Sequence, residues 1–236
     1  MTYAVSDIHG CYDKYQQLLR AINFGPKDTL YVLGDVIDRG PDGFRIILDM
    51  AGRSNVVGLL GNHEAMAIDA LPGIVRAAER RDGNLTRKEA EAADLWFCNG
   101  GELSLSGFFG LDKGQARTVW MYLQKMPLYR EVKVGKRQFV LVHGGLGGFS
   151  AKRPLNNYEP DEILWFRPEE DTAYYQDKYV IFGHTPVQIL DVGKAKPDAP
   201  ARIYRKGKLI DIDCGCTFSR GQLGCLCLDT MKEVYV

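Results

Sequence analysis

The sequence predicts a mixed α/β fold: two mixed β-sheets packed face to face, helices flanking both, and a helical insertion. Three observations carry that reading. Before Glu64, short β-prone apolar runs alternate three times with residues at helical spacing, the order that parallel strands with crossover helices require. Residues 65–127 are charged and helical in pattern. From Leu128 onward short apolar runs dominate, and a second sheet accounts for them better than one open sheet does.

The elements follow in order. Thr2–Val5 reads as a strand, with Tyr15, Leu18, Leu19 and Ile22 at helical spacing after it. Leu30–Leu33 is the second strand; Phe44, Ile47, Leu48 and Ala51 repeat the helical spacing, with Pro41 near the helix start. Val56–Leu60 is the third, and a helix is expected from about Glu64. Within 65–127, the stretch Thr86–Asp94 is a charged helix, Gly100-Gly101 is a break, and a last helix ends near Pro127. Strands are then expected at Leu128–Val134, Gln138–Val142, Tyr179–Phe182, Val187–Val192, Ala201–Tyr204, Lys208–Asp213, Leu223–Leu228 and Glu233–Val236. No internal repeat or low-complexity linker interrupts residues 1–236, which read as one domain carrying the insertion at 65–127.

Thirty basic residues balance thirty acidic ones. No basic field is available to hold a nucleic-acid backbone or an anionic membrane by bulk charge. No apolar run reaches the length of a membrane span. The chain starts directly in a core strand, leaving no room for a signal peptide, so a cytoplasmic location is expected. Cys214-Gly-Cys216 and Cys225-Leu-Cys227 would put four thiols on one face if the two segments paired as a hairpin, a possible zinc site. Small apolar filling of buried strands is the competing and favoured explanation.

The chain has only four histidines, and each stands where an apolar strand runs out into a loop. Strand ends deliver Ser6-Asp-Ile-His-Gly10, Gly34-Asp-Val-Ile-Asp-Arg-Gly40, Gly61-Asn-His-Glu64, Val142-His-Gly-Gly145 and Phe182-Gly-His-Thr185. Taken singly, a histidine there is usually a hydrogen-bonded core residue, an aspartate a turn or capping residue, and a glycine a turn former. Taken together, Asp7, His9, Asp35, Asp38, Asn62, His63, His143 and His184 come from five segments to the edge where open α/β sheets gather ligands. Carboxylates, imidazoles and an amide oxygen without thiolate suit Mn²⁺, Fe²⁺ or Zn²⁺. The donors outnumber the needs of one ion, and a carboxylate bridging two ions would use the surplus, as in phosphoryl hydrolysis.

The ordered set D-x-H-G, G-D-x-x-D-R-G, G-N-H-E, V-H-G-G and F-G-H-T resembles that of the calcineurin-like metallophosphoesterases, and within them the short bacterial or phage form of the phosphoprotein phosphatases. The motifs span residues 5–185 in the family's order. The resemblance implies two divalent ions, manganese first, with iron or zinc as alternatives. Asp7 and His9 would bind one ion, Asp35 would bridge, and Asn62, His143 and His184 would complete the other site. A hydroxide between the ions would attack phosphorus in line, and His63, oriented by Asp38, would protonate the leaving oxygen. Arg39 matches a phosphate-binding arginine, and Arg167, in Leu164-Trp-Phe-Arg-Pro168, resembles a second; a surface arginine before a turn is the alternative for Arg167. Some short members carry an arginine where this chain has Leu60, which puts the grip on phosphate and the substrate preference in question.

The implied substrate is a phosphorylated protein or peptide, with no obligate regulatory subunit. The second candidate is symmetrical dinucleoside tetraphosphate. Retention of Asp38 and Glu64 favours the phosphoprotein, while the run Asp211-Ile-Asp-Cys-Gly-Cys216 and the helical insertion favour the nucleotide. A non-catalytic binding scaffold is a third class, but such relatives lose a ligand or the acid, and this chain keeps all of them.

Overall fold

A computed structural model of the chain describes residues 1–190 and 199–236. The first sheet is built from β1 (Thr2–Val5), β2 (Thr29–Val32), β3 (Val56–Gly58), β9 (Gly224–Cys227) and β10 (Glu233–Tyr235), in the order β10-β9-β1-β2-β3. β1, β2 and β3 are parallel, with Tyr3 opposite Leu30 and Leu30 opposite Val56, whereas β9 runs antiparallel to both β1 and β10. The second sheet takes β4 (Tyr129–Val134), β5 (Arg137–Val142), β6 (Lys178–Phe182), β7 (Tyr204–Lys206) and β8 (Leu209–Asp211), in the order β4-β5-β6-β8-β7. Both sheets are therefore mixed, as the sequence predicts.

Strand alternation sorts the core into layers. Ala4, Leu33, Phe139, Leu141, Ile181, Ile210 and Leu226 point into the space between the sheets. Tyr3, Val5, Leu30 and Val32 face the other way, onto α1 (Tyr12–Ala21) and α2 (Gly43–Ala51), through Leu18, Ile46 and Ile47. On the far side Val140, Val142, Val180 and Phe182 pack with Ile163 of α7 (Pro160–Leu164). An α/β/β/α sandwich results, because strands with two apolar faces need cover on both.

Between β3 and β4 run four helices: α3 (Asn62–Arg80), α4 (Arg87–Cys98), α5 (Glu102–Phe109) and α6 (Lys113–Leu123). Local chemistry starts and stops them. Thr86 and Asp112 cap α4 and α6, each reciprocated by the residue three further on, Glu89 and Gln115. Gly73 of α3 lets α4 approach closely; a Cβ there would meet Glu89 Cγ at 2.8 Å.

Two expectations are corrected, and the less favoured idea of a four-thiol face is excluded. Val187–Val192 was expected as a strand, but Val187–Leu190 forms a short helix, α8, and residues 191 and 192 lie outside the described residues. Pro186 presets the first helical turn, and Ile189 N–H donates to its carbonyl at 2.7 Å. The strand expected at Ala201–Tyr204 begins only at Tyr204 and runs to Lys206, where β8 offers its partner register. The four thiols do not share a face: Cys225 and Cys227 on β9 face the helices, whereas Cys214 lies between the sheets. β9 pairs with β1 and β10, so the hairpin that would have joined the two Cys-x-Cys segments does not form.

Candidate metal centre

The carboxyl ends of β1, β2, β3, β5 and β6 open on one edge of the sandwich, and each contributes through the loop, or for β3 the helix start, that follows it. All eight predicted donors, Asp7, His9, Asp35, Asp38, Asn62, His63, His143 and His184, are buried there, none more than 6% exposed. The loops hold them in unusual backbone conformations. Asp7, His9, Asp35, Asp38, Arg39 and His184 all have φ between 46° and 69°, a region that non-glycine residues seldom occupy and that concentrates at functional sites.

Two groups of donors converge. His9, Asp35 and His63 form one, and Asp35, His143 and His184 the other, with Asp35 common to both. Its Oδ2 lies 3.7 Å from His9 Nε2, and its Oδ1 lies 3.3 Å from His143 Nε2. Asp7 Oδ1 stands 4.0 Å from His9 Nε2, and Asn62 Oδ1 stands 2.8 Å from His143 Nε2. Two imidazoles have their tautomers set by backbone carbonyls. His9 Nδ1–H donates to Ile37 O at 2.9 Å and His143 Nδ1–H to Leu33 O at 2.7 Å, so Nε2 of each faces the donor cluster.

The electrostatics ask for positive charge. Burial pushes Asp7 up to about 6, reinforced by the charge of Asp35. Burial would also raise Asp35, but His143, His63 and His9 hold it well below the usual carboxylate range. Burial opposes charge on His143, yet Asp35 and Asp7 push it up to about 10. His9 and His184 are driven down to about 3 by burial and stand neutral, ready to donate a lone pair. Buried His184 Nε2 meets no hydrogen-bond partner among the described residues. Carboxylates, neutral imidazoles and an amide oxygen aimed at common points fit divalent cations.

The remaining predicted residues lie alongside. His63 Nδ1–H donates to Asp38 Oδ2 at 2.6 Å, and Arg39 Nη2 lies 3.3 Å from His63 Nε2. His63 Nε2 also lies 3.8 Å from Asp35 Oδ2, so the imidazole is close to a metal-type cluster as well as to its carboxylate partner. Arg167 Nη1 donates to His184 O at 2.7 Å and to Thr185 Oγ1 at 3.2 Å, which fastens this arginine to the β6 loop.

Several residues around the centre were not among the predicted site residues. Glu64 is fully buried and accepts backbone N–H groups from Asp35, Val36, Ile37 and Gly61 at 2.8–3.2 Å, pinning the β2 loop to the start of α3. Its place three residues after Gly61 is the capping-box spacing that could have flagged it. Asp213 follows β8 by two residues, as Asp7 follows β1, so the same strand-end rule points to it. Burial and the charge of Asp7 push Asp213 well above the carboxylate range. Trp96 and Ser104, from α4 and α5, both bond Asp38, and no local signal marks them.

A double sheet whose strand ends meet around buried imidazole, carboxylate and amide donors is the architecture of a metal-dependent phosphoesterase. The chain belongs to the calcineurin-like phosphoesterases, whose family model matches residues 2–198. It is 28% identical over 196 residues to Serine/threonine-protein phosphatase 1 of Salmonella typhimurium (strain LT2), covering 79% of each protein. It is 32% identical over 191 residues to the symmetrical bis(5'-nucleosyl)-tetraphosphatase of Acidovorax sp. (strain JS42), covering 78% of this chain and 57% of that protein. Among solved structures, a candidate diadenosine tetraphosphatase superposes on 100% of this chain and 92% of its own, with a TM-score of 0.67 at 20% identity, a likeness of fold.

Proposed function

We propose that this phosphoesterase is a phosphomonoesterase acting on serine or threonine phosphate in proteins, with a manganese pair as its working cofactor. Asp7 and His9 would hold one ion, Asn62, His143 and His184 the other, and Asp35 would serve both. Divalent ions bound there supply positive charge to phosphoryl oxygens and lower the pKa of water enough to furnish a nucleophile near neutral pH. The chain's own residues do the rest. Arg39, whose guanidinium lies beside His63, would grip phosphate oxygens, as would Arg167 at the mouth of the β6 loop. His63 Nε2–H would give its proton to the departing oxygen, while Asp38 holds Nδ1 and keeps the ring in place.

The His63–Asp38 pair is the observation that carries the phosphoprotein reading. A serine alkoxide is a strongly basic leaving group and needs a proton as the bond breaks. A nucleotide phosphate leaves as a stable anion and gains little from such an acid. Burial lowers His63, but Asp35 and Asp38 more than offset it, so the imidazole is raised toward its protonated form. The relation to the Salmonella phosphatase over 79% of both chains supports the same reading.

Symmetrical dinucleoside tetraphosphate is the second reading, favoured by the Acidovorax relative and by the residues at Asp211–Cys216. Steady-state hydrolysis with added Mn²⁺, run in parallel on a phosphoserine peptide and diadenosine tetraphosphate, separates the two. The phosphoprotein reading expects kcat/KM at least about tenfold higher for the peptide, a difference of about 1.4 kcal/mol in transition-state binding. The reverse ratio would assign the chain to nucleotide hydrolysis.

A further inference from the structure

We propose that Trp96, on α4 and 58 positions along the chain from Asp38, is a positioning residue for the acid. Its indole Nε1–H donates to Asp38 Oδ2 at 2.8 Å, the same oxygen that accepts His63 Nδ1–H at 2.6 Å. One carboxylate oxygen therefore carries both bonds, and buried Asp38 Oδ1 has no partner among the described residues. Without the indole, nothing on the side chain distinguishes the two oxygens, and rotation of the carboxylate would swing the imidazole with it. Trp96 selects the oxygen and fixes its place.

The surroundings are built for that contact. Trp96 is completely buried. Gly101 closes against its ring; a Cβ there would meet the indole at 2.7 Å, so a larger residue would displace it. The same segment grips the adjacent backbone, with Asp38 N–H donating to Ser104 Oγ at 2.8 Å and Arg39 N–H to Gly100 O at 3.1 Å. Asp38 and Arg39 both have positive φ, 69° and 64°, and such conformations persist only where neighbours hold them. In this way α4 and α5 bear on the acid without touching substrate.

The kinetic consequence rests on the reading of His63 as acid; the geometric one does not. Trp96→Phe keeps an aromatic ring and removes the N–H. In the protein loaded with Zn²⁺, which is diamagnetic, the downfield proton resonance of the His63–Asp38 hydrogen bond should broaden into exchange with water. Metal content should stay at the wild-type value, and kcat for a phosphoserine peptide should fall about tenfold with KM unchanged, the scale on which supporting partners act. For p-nitrophenyl phosphate, whose leaving group needs no acid, the change should stay within about twofold. In a His63→Asn background the same substitution should have no further effect on the peptide rate.

A retained resonance, an equal loss on both substrates, or an undiminished loss in the His63→Asn background would each overturn the proposal. If Trp96→Phe does not fold, 3-benzothienylalanine at position 96 preserves the ring's shape without the donor and is judged by the same readings. Failure of His63→Asn itself to discriminate between the leaving groups would instead sink the acid assignment, leaving the resonance to decide whether Trp96 positions the ring.

Discussion

Asp35 sits where the two sheets meet, one oxygen facing His9 from the first sheet and the other facing His143 from the second. Its backbone is held by Glu64, and its Oδ1 also accepts the N–H of His63 at 3.2 Å. Asp35→Asn keeps the volume but removes the charge that two ions would share. Mn²⁺-dependent hydrolysis should fall by more than about 100-fold, since even outer partners of metal ligands cost that much, and elemental analysis should find metal lost. His63→Asn should act differently. Both ions should remain, and kcat for a phosphoserine peptide should drop by about 10²–10⁴-fold while an activated aryl phosphate suffers far less. Metal loss in that variant would make His63 a ligand, a role its 3.8 Å approach to Asp35 Oδ2 keeps in view.

Among the elements, the ends of β1 and β6 approach each other closely from opposite sheets. A Cβ on Gly183 would land on Ser6 Oγ and Asp7 Oδ2, and His184 N–H donates to the same Asp7 oxygen at 3.0 Å. The two sheets thus join at the centre through a glycine, because no side chain fits between the loops. Gly183→Ala should destabilise the fold by about 1–3 kcal/mol, the usual result of overpacking, and weaken metal binding as Asp7 is pushed aside. Denaturant melts with and without Mn²⁺ would read both effects; an unchanged midpoint and affinity would mean the loops move apart at no cost. Of the helices between β3 and β4, α3 enters the centre directly with Asn62, His63 and Glu64, whereas α4 and α5 reach it through Trp96 and Ser104.

For the molecule as a whole, folding and metal binding are linked through protons. In the metal-free chain Asp7 is raised to about 6, so its folded form binds a proton more readily than the unfolded chain does. The sign follows: as pH rises from the ordinary carboxylate value through about 6, that group progressively destabilises the metal-free fold. A divalent ion bound by Asp7 would take the proton's place. Held by the proposed ligands, it would displace one from His143, raised to about 10, at any neutral pH, and a second from Asp7 below about 6. Affinity for Mn²⁺ should therefore rise with pH throughout and more steeply below about pH 6. The gain in Tm on adding the ion should be larger at about pH 7.5 than at about pH 5. A pH-independent gain would exclude both groups as ligands.

The motifs at the strand ends were legible because each is local: an apolar run, a turn and a polar residue within a few positions. Periodicity likewise revealed β1–β3 and their helices, and the many short apolar runs after Leu128 pointed to a second sheet. Short segments resisted, as at Val187–Leu190, where β-prone residues follow Pro186 and turn as a helix. The sequence by itself determined which residue types stand at the mouths of the strands. Only the tertiary structure decided that Asp35 lies between histidines of opposite sheets, that Cys214 faces away from Cys225 and Cys227, and that Trp96 meets Asp38 across 58 positions. Contacts between residues so far apart leave no periodic trace, because the packing of whole elements, not the spacing of neighbours, brings them together.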